Sequence, residues 1–383
     1  MHTNPPNQVK LSLQEHLMLF AFMVVCFIVF CYMDYRDLDI EFLSFTRGDE
    51  RPQFLQLQKM YEGLLALDVK KFFAFEFYNY GFFYYLLSFL SALPFIITEN
   101  YPLQIYAPRV LNALFSVANL WILYKIARIY LAPRTSMLIL LLLTSMGAFW
   151  HLGFSFKPDV FQGFFVLLCA YFLLQDRGML GQNYTRAWLA LGLGIGLAKF
   201  QAILFIPMIY AYVFCHTSGA LRDIARFYQA CKRSIVATFG MFGIWILTNP
   251  YLLHPRGFKA WLSMFELNMR SNATNHGAYT QVPLSDKLSQ VIELYYFEIL
   301  VFLALSIAGL YCFITLKWLI SQNPHTLDSA TQDSMCQPCA QANSISIEFA
   351  PIATGFFISL AYLLLFVNKT WEAYYFSTMA LGL

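Results

Sequence analysis

Residues 17–33 read LMLFAFMVVCFIVFCYM, a run of 17 residues without a charged side chain. A helix needs about 20 apolar residues to cross the hydrocarbon core of a bilayer, so this run is near the lower limit for a spanning helix. It is longer than a typical signal-peptide core, and no small-residue cleavage site follows it. The run therefore predicts a membrane helix that the mature protein retains.

The same pattern recurs along the chain. Further apolar runs cover residues 108–131, 136–150, 159–175, 187–215, 235–253, 291–319 and 349–367. Charged residues make up 12% of the chain and apolar residues 59%, whereas soluble domains carry about 25% charged residues. We therefore expect an all-α fold, a polytopic membrane helical bundle of about nine or ten spans. The run 187–215 is interrupted by Lys199 and predicts a hairpin of two short helices that turns at this lysine.

The sequence predicts one transmembrane domain over residues 1–383. Apolar residues recur at helical spacing within 53–72, so the first extracytoplasmic loop, 34–106, is expected to carry interfacial helices. Residues 320–348 are polar and poor in aromatics, which predicts a flexible cytoplasmic loop. The last apolar run, 371–383, stops without a polar tail, which is typical of a truncated C-terminus.

The charges between the runs predict an orientation. If residues 81–97 do not span, the short basic loops share one face and mark it as cytoplasmic, with the N-terminus on that side. Asp49, Asp159 and Lys199 then share the opposite face. In the alternative, 81–97 spans, and Asp49 and Asp159 lie on opposite faces. That arrangement scatters the basic loops, and we disfavour it.

Four features are expected on the extracytoplasmic face, and the fourth is a set of polar residues in segments next to the membrane: Glu76, Tyr78, Tyr80, Arg109, His151, Arg270 and Lys369. Asp49-Glu50 is an acidic pair, and a carboxylate near an apolar surface is suited to general-base chemistry, although a solvated loop pair would look the same. Asp159 opens the run 159–175 and is suited to bind a cation or a hydroxyl, or else only to start a helix. Lys199 at a hairpin tip is suited to grip a lipid phosphate, or else to snorkel to the interface.

Other features carry less information. No cluster of Lys and Arg with interleaved aromatics is present, so a nucleic-acid partner is not expected. Cys336 and Cys339 form one CxxC without the second pair of ligands that a zinc site needs. The net charge of +3 does not indicate a partner.

Several stretches together resemble a GT-C membrane glycosyltransferase, within the branch of protein O-mannosyltransferases and lipid A aminoarabinose transferases. In chain order these stretches are TRGDERPQ (46–53), YNYGFFYYLL (78–87), PRVLNALFSVANLWILYKIARIYL (108–131), FKPDVFQGFFVLLCAYFLL (156–174), LGLGIGLAKFQAILFIP (191–207) and ILTNPYLLHPRGF (246–258). The resemblance covers residues 17–270, with a weaker echo at 368–383. Lys157 departs from the family's pattern, in which Arg is common at this place.

The resemblance implies an enzyme that moves a sugar from a polyprenyl- or dolichyl-phosphate carrier to an acceptor outside the cytoplasm. A single displacement with a base in the first loop would invert the anomeric centre. The residues expected to act are Asp49, Glu50 and Asp159 in catalysis; Lys199, Arg270 and Lys369 on the lipid phosphate; and Asp49, Glu76 and Asp159 on a divalent metal ion. No other cofactor is expected.

The expected partners are the lipid-linked donor, membrane lipids and an acceptor that is a lipid, a glycan or a protein. The expected location is a bacterial inner membrane rather than the endoplasmic reticulum. A transporter or flippase is the main alternative, and a non-catalytic assembly subunit is a third. Transporters often show paired halves and charges near the midplane, whereas here the charges gather at one face and no paired halves are found.

Overall fold

The computed structural model of the chain describes residues 11–36, 50–73, 80–217, 223–274, 282–296, 337–368 and 372–382. In these ranges the regular secondary structure is helical, and Tyr80 and Lys199 form an isolated antiparallel bridge. The predicted all-α fold is therefore confirmed.

The helices follow one another as α1 (Leu13–Arg36), α2 (Glu50–Leu65), α3 (Val69–Phe73), α4 (Phe82–Ile97), α5 (Tyr101–Ala127), α6 (Pro133–Ser145), α7 (Gly147–Gly153), α8 (Asp159–Asp176), α9 (Gln182–Leu193), α10 (Ile206–His216), α11 (Ile224–Thr248), α12 (Pro255–Thr274), α13 (Leu284–Tyr296), α14 (Gln337–Phe366) and α15 (Glu372–Gly382). A π-helical turn, Gly194–Ala198, and a 3₁₀ turn, Phe200–Phe205, connect α9 to α10. A second 3₁₀ turn, Pro250–Leu253, connects α11 to α12.

Five of the described helices are long and apolar enough to cross a membrane. They are α1, α5, α8, α11 and the Glu348–Phe366 part of α14. Helices α6 and α7 meet at a 72° bend and together would make a sixth, broken span. The chain is thus an integral multi-pass membrane protein, as predicted. Much of the predicted span 291–319 lies outside the described residues, so the number of nine or ten spans stays a prediction.

Helices α1 and α5 run antiparallel. The Arg128 Nε atom, just beyond the end of α5, lies 2.7 Å from Glu15 Oε1 near the start of α1. Toward the other end, the Tyr106 hydroxyl donates to the Cys31 carbonyl at 3.4 Å. The end of α1 and the start of α5 therefore share one face, and α4, which lies between them in the chain, does not act as a single crossing. These contacts support the preferred arrangement, in which residues 81–97 do not span.

The hairpin at Lys199 is also confirmed. The rings of Tyr184, near the start of α9, and Tyr212, near the end of α10, stack with their centroids 6.1 Å apart. The two helices therefore meet at the ends that are remote from the turn. At the turn between them, Lys199 has an extended backbone with φ −146° and ψ 129°. Glycines at 194 and 196 favour the irregular turn that leads to it, because glycine weakens a regular helix.

The segment between α1 and α4 differs in detail from the expected interfacial helix over 53–72. The chain forms α2 and the short α3, separated at Leu67, whose left-handed φ of 52° stops the first helix. The buried edge of α2 includes Gln53 and Gln56 beside Leu57 and Met60. Polar side chains thus share the protein-facing side of this helix, which the apolar pattern alone did not predict.

Two predicted loops end earlier than expected. Helix α5 begins at Tyr101, inside the predicted loop 34–106, because the Asn100 side chain accepts a hydrogen bond from the Leu103 N–H at 3.3 Å and caps the helix. Helix α14 begins at Gln337, inside the predicted flexible loop 320–348. Residues 320–336 of that loop lie outside the described ranges.

Candidate functional site

Asp159 and Lys199 form one of two buried ion pairs at the same end of the bundle. Asp159 is the first residue of α8, and its Oδ1 lies 2.9 Å from the Lys199 Nζ at the hairpin turn. The two residues are only 3% and 7% exposed, and the ammonium lies 5.7 Å from the centre of the Tyr80 ring. Lys199 therefore does not simply snorkel into solvent, and Asp159 does more than start a helix.

Glu50 and Arg109 form the second pair. Glu50 opens α2, Arg109 lies in the first third of α5, and the Oε2–Nη2 distance is 2.8 Å. Both side chains are fully buried. The other oxygen, Glu50 Oε1, accepts a hydrogen bond from the backbone N–H of Phe156. Glu50 therefore belongs to a packed site, and the alternative of a solvated acid is excluded for this member of the Asp49-Glu50 pair.

The segment before α8 joins the two ion pairs. The Asn112 side-chain amide donates to the carbonyls of Ser155 and Lys157. The Tyr84 hydroxyl in turn donates to Asn112 Oδ1 at 3.1 Å. The residues that precede Asp159 are thus fixed to α4 and α5, so the two pairs sit at a common end. We call this the site end, defined by Glu50, Asp159 and Lys199.

Asn249 fastens the hairpin turn from the other side. Its Oδ1 accepts from the Phe82 N–H at 2.9 Å, and its Nδ2 donates to the Gly196 carbonyl at 2.9 Å. Beside it, the Gly81 N–H donates to the Ala198 carbonyl at 2.7 Å. The Asn of the Asn-Pro-Tyr stretch therefore links α11, the start of α4 and the turn that carries Lys199.

The burial of both ion pairs constrains their chemistry. Removing two charges from water is costly, and the attraction between them repays it only with good geometry and further hydrogen bonds. The removal of one partner would leave an uncompensated charge in the protein interior. Each pair therefore fixes two segments that are far apart in the chain, 59 residues for Glu50 and Arg109 and 40 for Asp159 and Lys199.

The structure brings three of the predicted site residues together: Glu50, Asp159 and Lys199. Arg270 is not part of this buried group: it is exposed on α12, where its Nη2 is 2.6 Å from Glu266 Oε1. The remaining predicted residues, Asp49, Glu76 and Lys369, lie outside the described ranges.

The structure also reveals site residues to which the sequence analysis gave no catalytic or binding role. Arg109, Asn112, Ser116 and Asn119 are all fully buried along one side of α5. Their spacing of three, four and three residues on an otherwise apolar span places polar groups on one helix face, a periodic signal that was available in the sequence. Asp34, in the last turn of α1, is a further fully buried acid.

Only one of the three expected metal ligands, Asp159, lies within the described residues. Among the described residues no group of three His, Cys, Asp or Glu side chains is arranged to hold a metal ion. Of the three expected ligands, Asp159 pairs with Lys199, whereas Asp49 and Glu76 are outside the described ranges. The metal ion therefore stays a prediction.

Comparison with known proteins gives one family. Residues 86–248 match the family model of dolichyl-phosphate-mannose-protein mannosyltransferases, over somewhat less than half of the chain. The matched region runs from α4 to the end of α11 and contains Arg109, Asp159 and Lys199. No curated protein and no solved structure matches the chain. Together with the polytopic helical fold, the match supports the assignment of this chain to the GT-C superfamily of membrane glycosyltransferases.

Proposed function

We propose that the protein transfers a sugar from a polyprenyl-phosphate or dolichyl-phosphate carrier to an acceptor at the site end. The convergence of the Glu50–Arg109 and Asp159–Lys199 pairs is the observation that carries this proposal. These residues come from four separate parts of the chain, and all but Glu50 lie within the matched region. A lipid-linked mannose is the donor that the family's description favours.

In this proposal Lys199 receives the phosphate of the carrier. The leaving group in such a transfer is a lipid phosphate, which needs positive charge around it but no strong general acid. Lys199 is a buried cation held in place by Asp159, so its position is fixed before the donor arrives. Arg270 and Lys369 are further candidates, and Arg270 would have to leave its pair with Glu266 to contribute.

Asp49 is the proposed base. The acceptor hydroxyl loses a proton as it attacks the anomeric carbon, and a single carboxylate is enough to take it. Glu50 is less suited to this task, because its carboxylate is bound by Arg109 and the Phe156 N–H. We therefore assign Glu50 as a positioning residue that anchors the chain next to Asp49. One base and one displacement would invert the sugar's anomeric centre.

A divalent ion held by Asp49, Glu76 and Asp159 would supply additional positive charge near the departing phosphate. For Asp159 to serve as a ligand it would have to be shared with Lys199. The proposal does not depend on this ion, because Lys199 already offers a cation at the site end.

The site end is proposed to face away from the cytoplasm. The loops and helix ends at the opposite end carry Arg128, Arg177, Arg186 and Arg226, and such basic segments mark the cytoplasmic side. The N-terminus would then be cytoplasmic, and a bacterial inner membrane is the proposed location. The acceptor is a lipid, a glycan or a protein that reaches this face.

The test uses the full-length protein in liposomes with dolichyl-phosphate mannose that carries a labelled sugar. With native membranes as the source of acceptor, Asp49→Asn is expected to lower the transfer rate by about 10²–10⁴-fold, the range for loss of a general base. Asp68→Asn is the matched control, because Asp68 is an exposed acid in the turn between α2 and α3 of the same external segment.

Transfer at the wild-type rate by the Asp49→Asn variant would overturn the role of Asp49. Absence of any transfer by the wild-type protein, combined with movement of the intact lipid-linked sugar across the membrane, would instead favour a flippase.

A further inference from the structure

Helix α12 lies between the ends of two membrane spans. It follows α11, which ends at the site end where Asn249 binds the hairpin turn. At its other end, the Asn272 carbonyl accepts from the Asn368 N–H, two residues beyond α14, at 2.8 Å. Glu348, about 20 residues before Asn368, lies at the other end of the bundle. Its Oε2 accepts a hydrogen bond of 2.5 Å from the hydroxyl of Tyr130, which is close in the chain to Arg128 at that end. Both ends of α12 are thus tied to the site end.

This arrangement decides how α12 lies. A helix of 20 residues is about 30 Å long, enough to cross a bilayer, yet both of its ends are fixed at one face. Helix α12 therefore runs along the membrane surface between the spans α11 and α14. Its sequence fits this position, because apolar and charged side chains alternate with helical periodicity rather than forming a continuous apolar run.

One edge of α12 is packed on the protein. The Trp261 ring is buried and stacks on Phe265 with centroids 5.3 Å apart. It also lies 4.9 Å from Trp245 of α11 and 5.2 Å from Phe200, the residue after Lys199. This aromatic cluster fixes the rotation of α12 about its own axis, so the outward edge is well defined.

Part of the exposed side of α12 is apolar. Phe258, Leu262 and Met269 are 47%, 50% and 43% exposed, and their spacing of four and seven residues puts them on one stripe. Next to this stripe lies a charged one, formed by Lys259, Glu266 and Arg270, while Arg256 adds a cation near the start of the helix. The whole helix carries three basic residues and one acidic residue, so its formal net charge is positive.

We propose that α12 is an interfacial helix that binds anionic phospholipids of the site-end leaflet. Phe258, Leu262 and Met269 would lie among the acyl chains just below the headgroups. Lys259 and Arg256 would contact the lipid phosphates, with Arg270 shared between a phosphate and Glu266. A membrane surface accounts for all three observations: the apolar stripe, the cations beside it, and the position of both helix ends at the same face of the bundle. The inference goes beyond sugar transfer and does not depend on it.

Spin labels on the full-length protein in liposomes test the depth of α12. Single cysteines are placed at 258, 259, 262, 266 and 269 in a variant that keeps Cys26 and Cys169, which are buried, and has its other cysteines replaced. Labels at 258, 262 and 269 are expected to collide with oxygen in the acyl region, whereas labels at 259 and 266 collide with a water-soluble nickel complex. A label at 262 as accessible to nickel as the one at 259 would overturn the proposal. A label at 262 shielded from both reagents would also overturn it, because a protein or a second copy of the chain would then cover the stripe.

A second measurement tests the phosphate contacts. In wild-type α12 the label at 262 is expected to lie deeper in vesicles with phosphatidylglycerol than in pure phosphatidylcholine. The Arg256→Gln, Lys259→Gln double variant is expected to lose this difference. The matched control, Lys232→Gln in the first part of α11, is expected to keep it. Equal depth in the two lipids for the wild-type helix would refute the binding of anionic lipid.

Discussion

The two ends of the helical bundle use buried acids in different ways. At the site end, Glu50 and Asp159 each bind a cation that is itself sealed from water. At the opposite end, Asp176 is equally buried, but its carboxylate accepts from two backbone N–H groups, of Gly181 and Tyr184, and from the Tyr212 hydroxyl. Burial of an acid is therefore not by itself the sign of a functional site. The opposite end also has an ion pair, Glu15–Arg128, but its two side chains keep 11% and 15% of their surface exposed. What distinguishes the site end is that two more deeply buried ion pairs lie together where several distant segments meet.

The difference has a physical basis. Asp176 fastens the base of the α9–α10 hairpin with neutral donors, which hold a carboxylate without introducing another charge. At the tip of the same hairpin, the Lys199 amine lies 2.9 Å from the Asp159 carboxylate. A cation in that position can attract a phosphate at the cost of loosening an existing pair. Asp176 at the base of the hairpin therefore stabilises the fold, whereas Lys199 at the tip is able to bind a phosphate.

Arg109→Met is expected to have the largest effect on stability. It would leave Glu50 buried without its cation, which costs about 3–5 kcal/mol when one partner of a buried pair is removed. Thermal unfolding in detergent would measure the loss. The double variant Glu50→Gln, Arg109→Met should recover much of the stability, because no uncompensated charge remains. An unchanged unfolding temperature for Arg109→Met would show that this pair does not hold α2 on α5.

Much of this architecture follows from local sequence signals. Hydropathy predicts α1, α5, α8 and α11, because a helix that crosses the hydrocarbon core must be apolar along most of its length, whether it faces lipid or other helices. The break at Lys199 was also predictable, since a charge in the centre of a 29-residue apolar run is costly unless the chain turns there.

The partners of the buried charges were not predictable in this way. Glu50 and Arg109 are brought together by the packing of α2 on α5, and hydropathy contains no information on which distant residues meet. Similarly, Gln53 is buried although its type favours the surface. The polar stripe on α5 indicated which face of that helix is special but not that Glu50 would be its partner.

A comparison of Asp176→Asn with Asp159→Asn separates the structural acid from the site acid. Asp176→Asn weakens hydrogen bonds to a charged acceptor, which contribute about 1.5–3 kcal/mol each, so stability should fall while the folded fraction still transfers sugar at the wild-type rate. Asp159→Asn leaves Lys199 buried without its partner, so stability should fall here too, but in this variant sugar transfer per folded molecule should also fall. Both are read out by thermal unfolding and by transfer per folded molecule. If the Asp176 variant lost transfer as strongly as the Asp159 variant, the proposed division between the two ends would fail.

The smallest expected effect concerns the contact that holds the hairpin tip. A Cβ atom on Gly81 would lie 2.3 Å from the backbone carbonyl carbon of Leu197, whereas a Cβ on Gly243 in α11 would meet nothing within 4 Å. Gly81→Ala must therefore push the tip away, at a cost of about 1–3 kcal/mol for overpacking, and should raise the KM for the lipid-linked donor because Lys199 moves with the tip. Gly243→Ala is the matched control. It should leave KM unchanged and either keep or slightly raise the stability, because alanine favours a helix over glycine. Titration of the donor in liposomes measures KM, and an equal KM for the two variants would mean that donor binding does not depend on the position of Lys199.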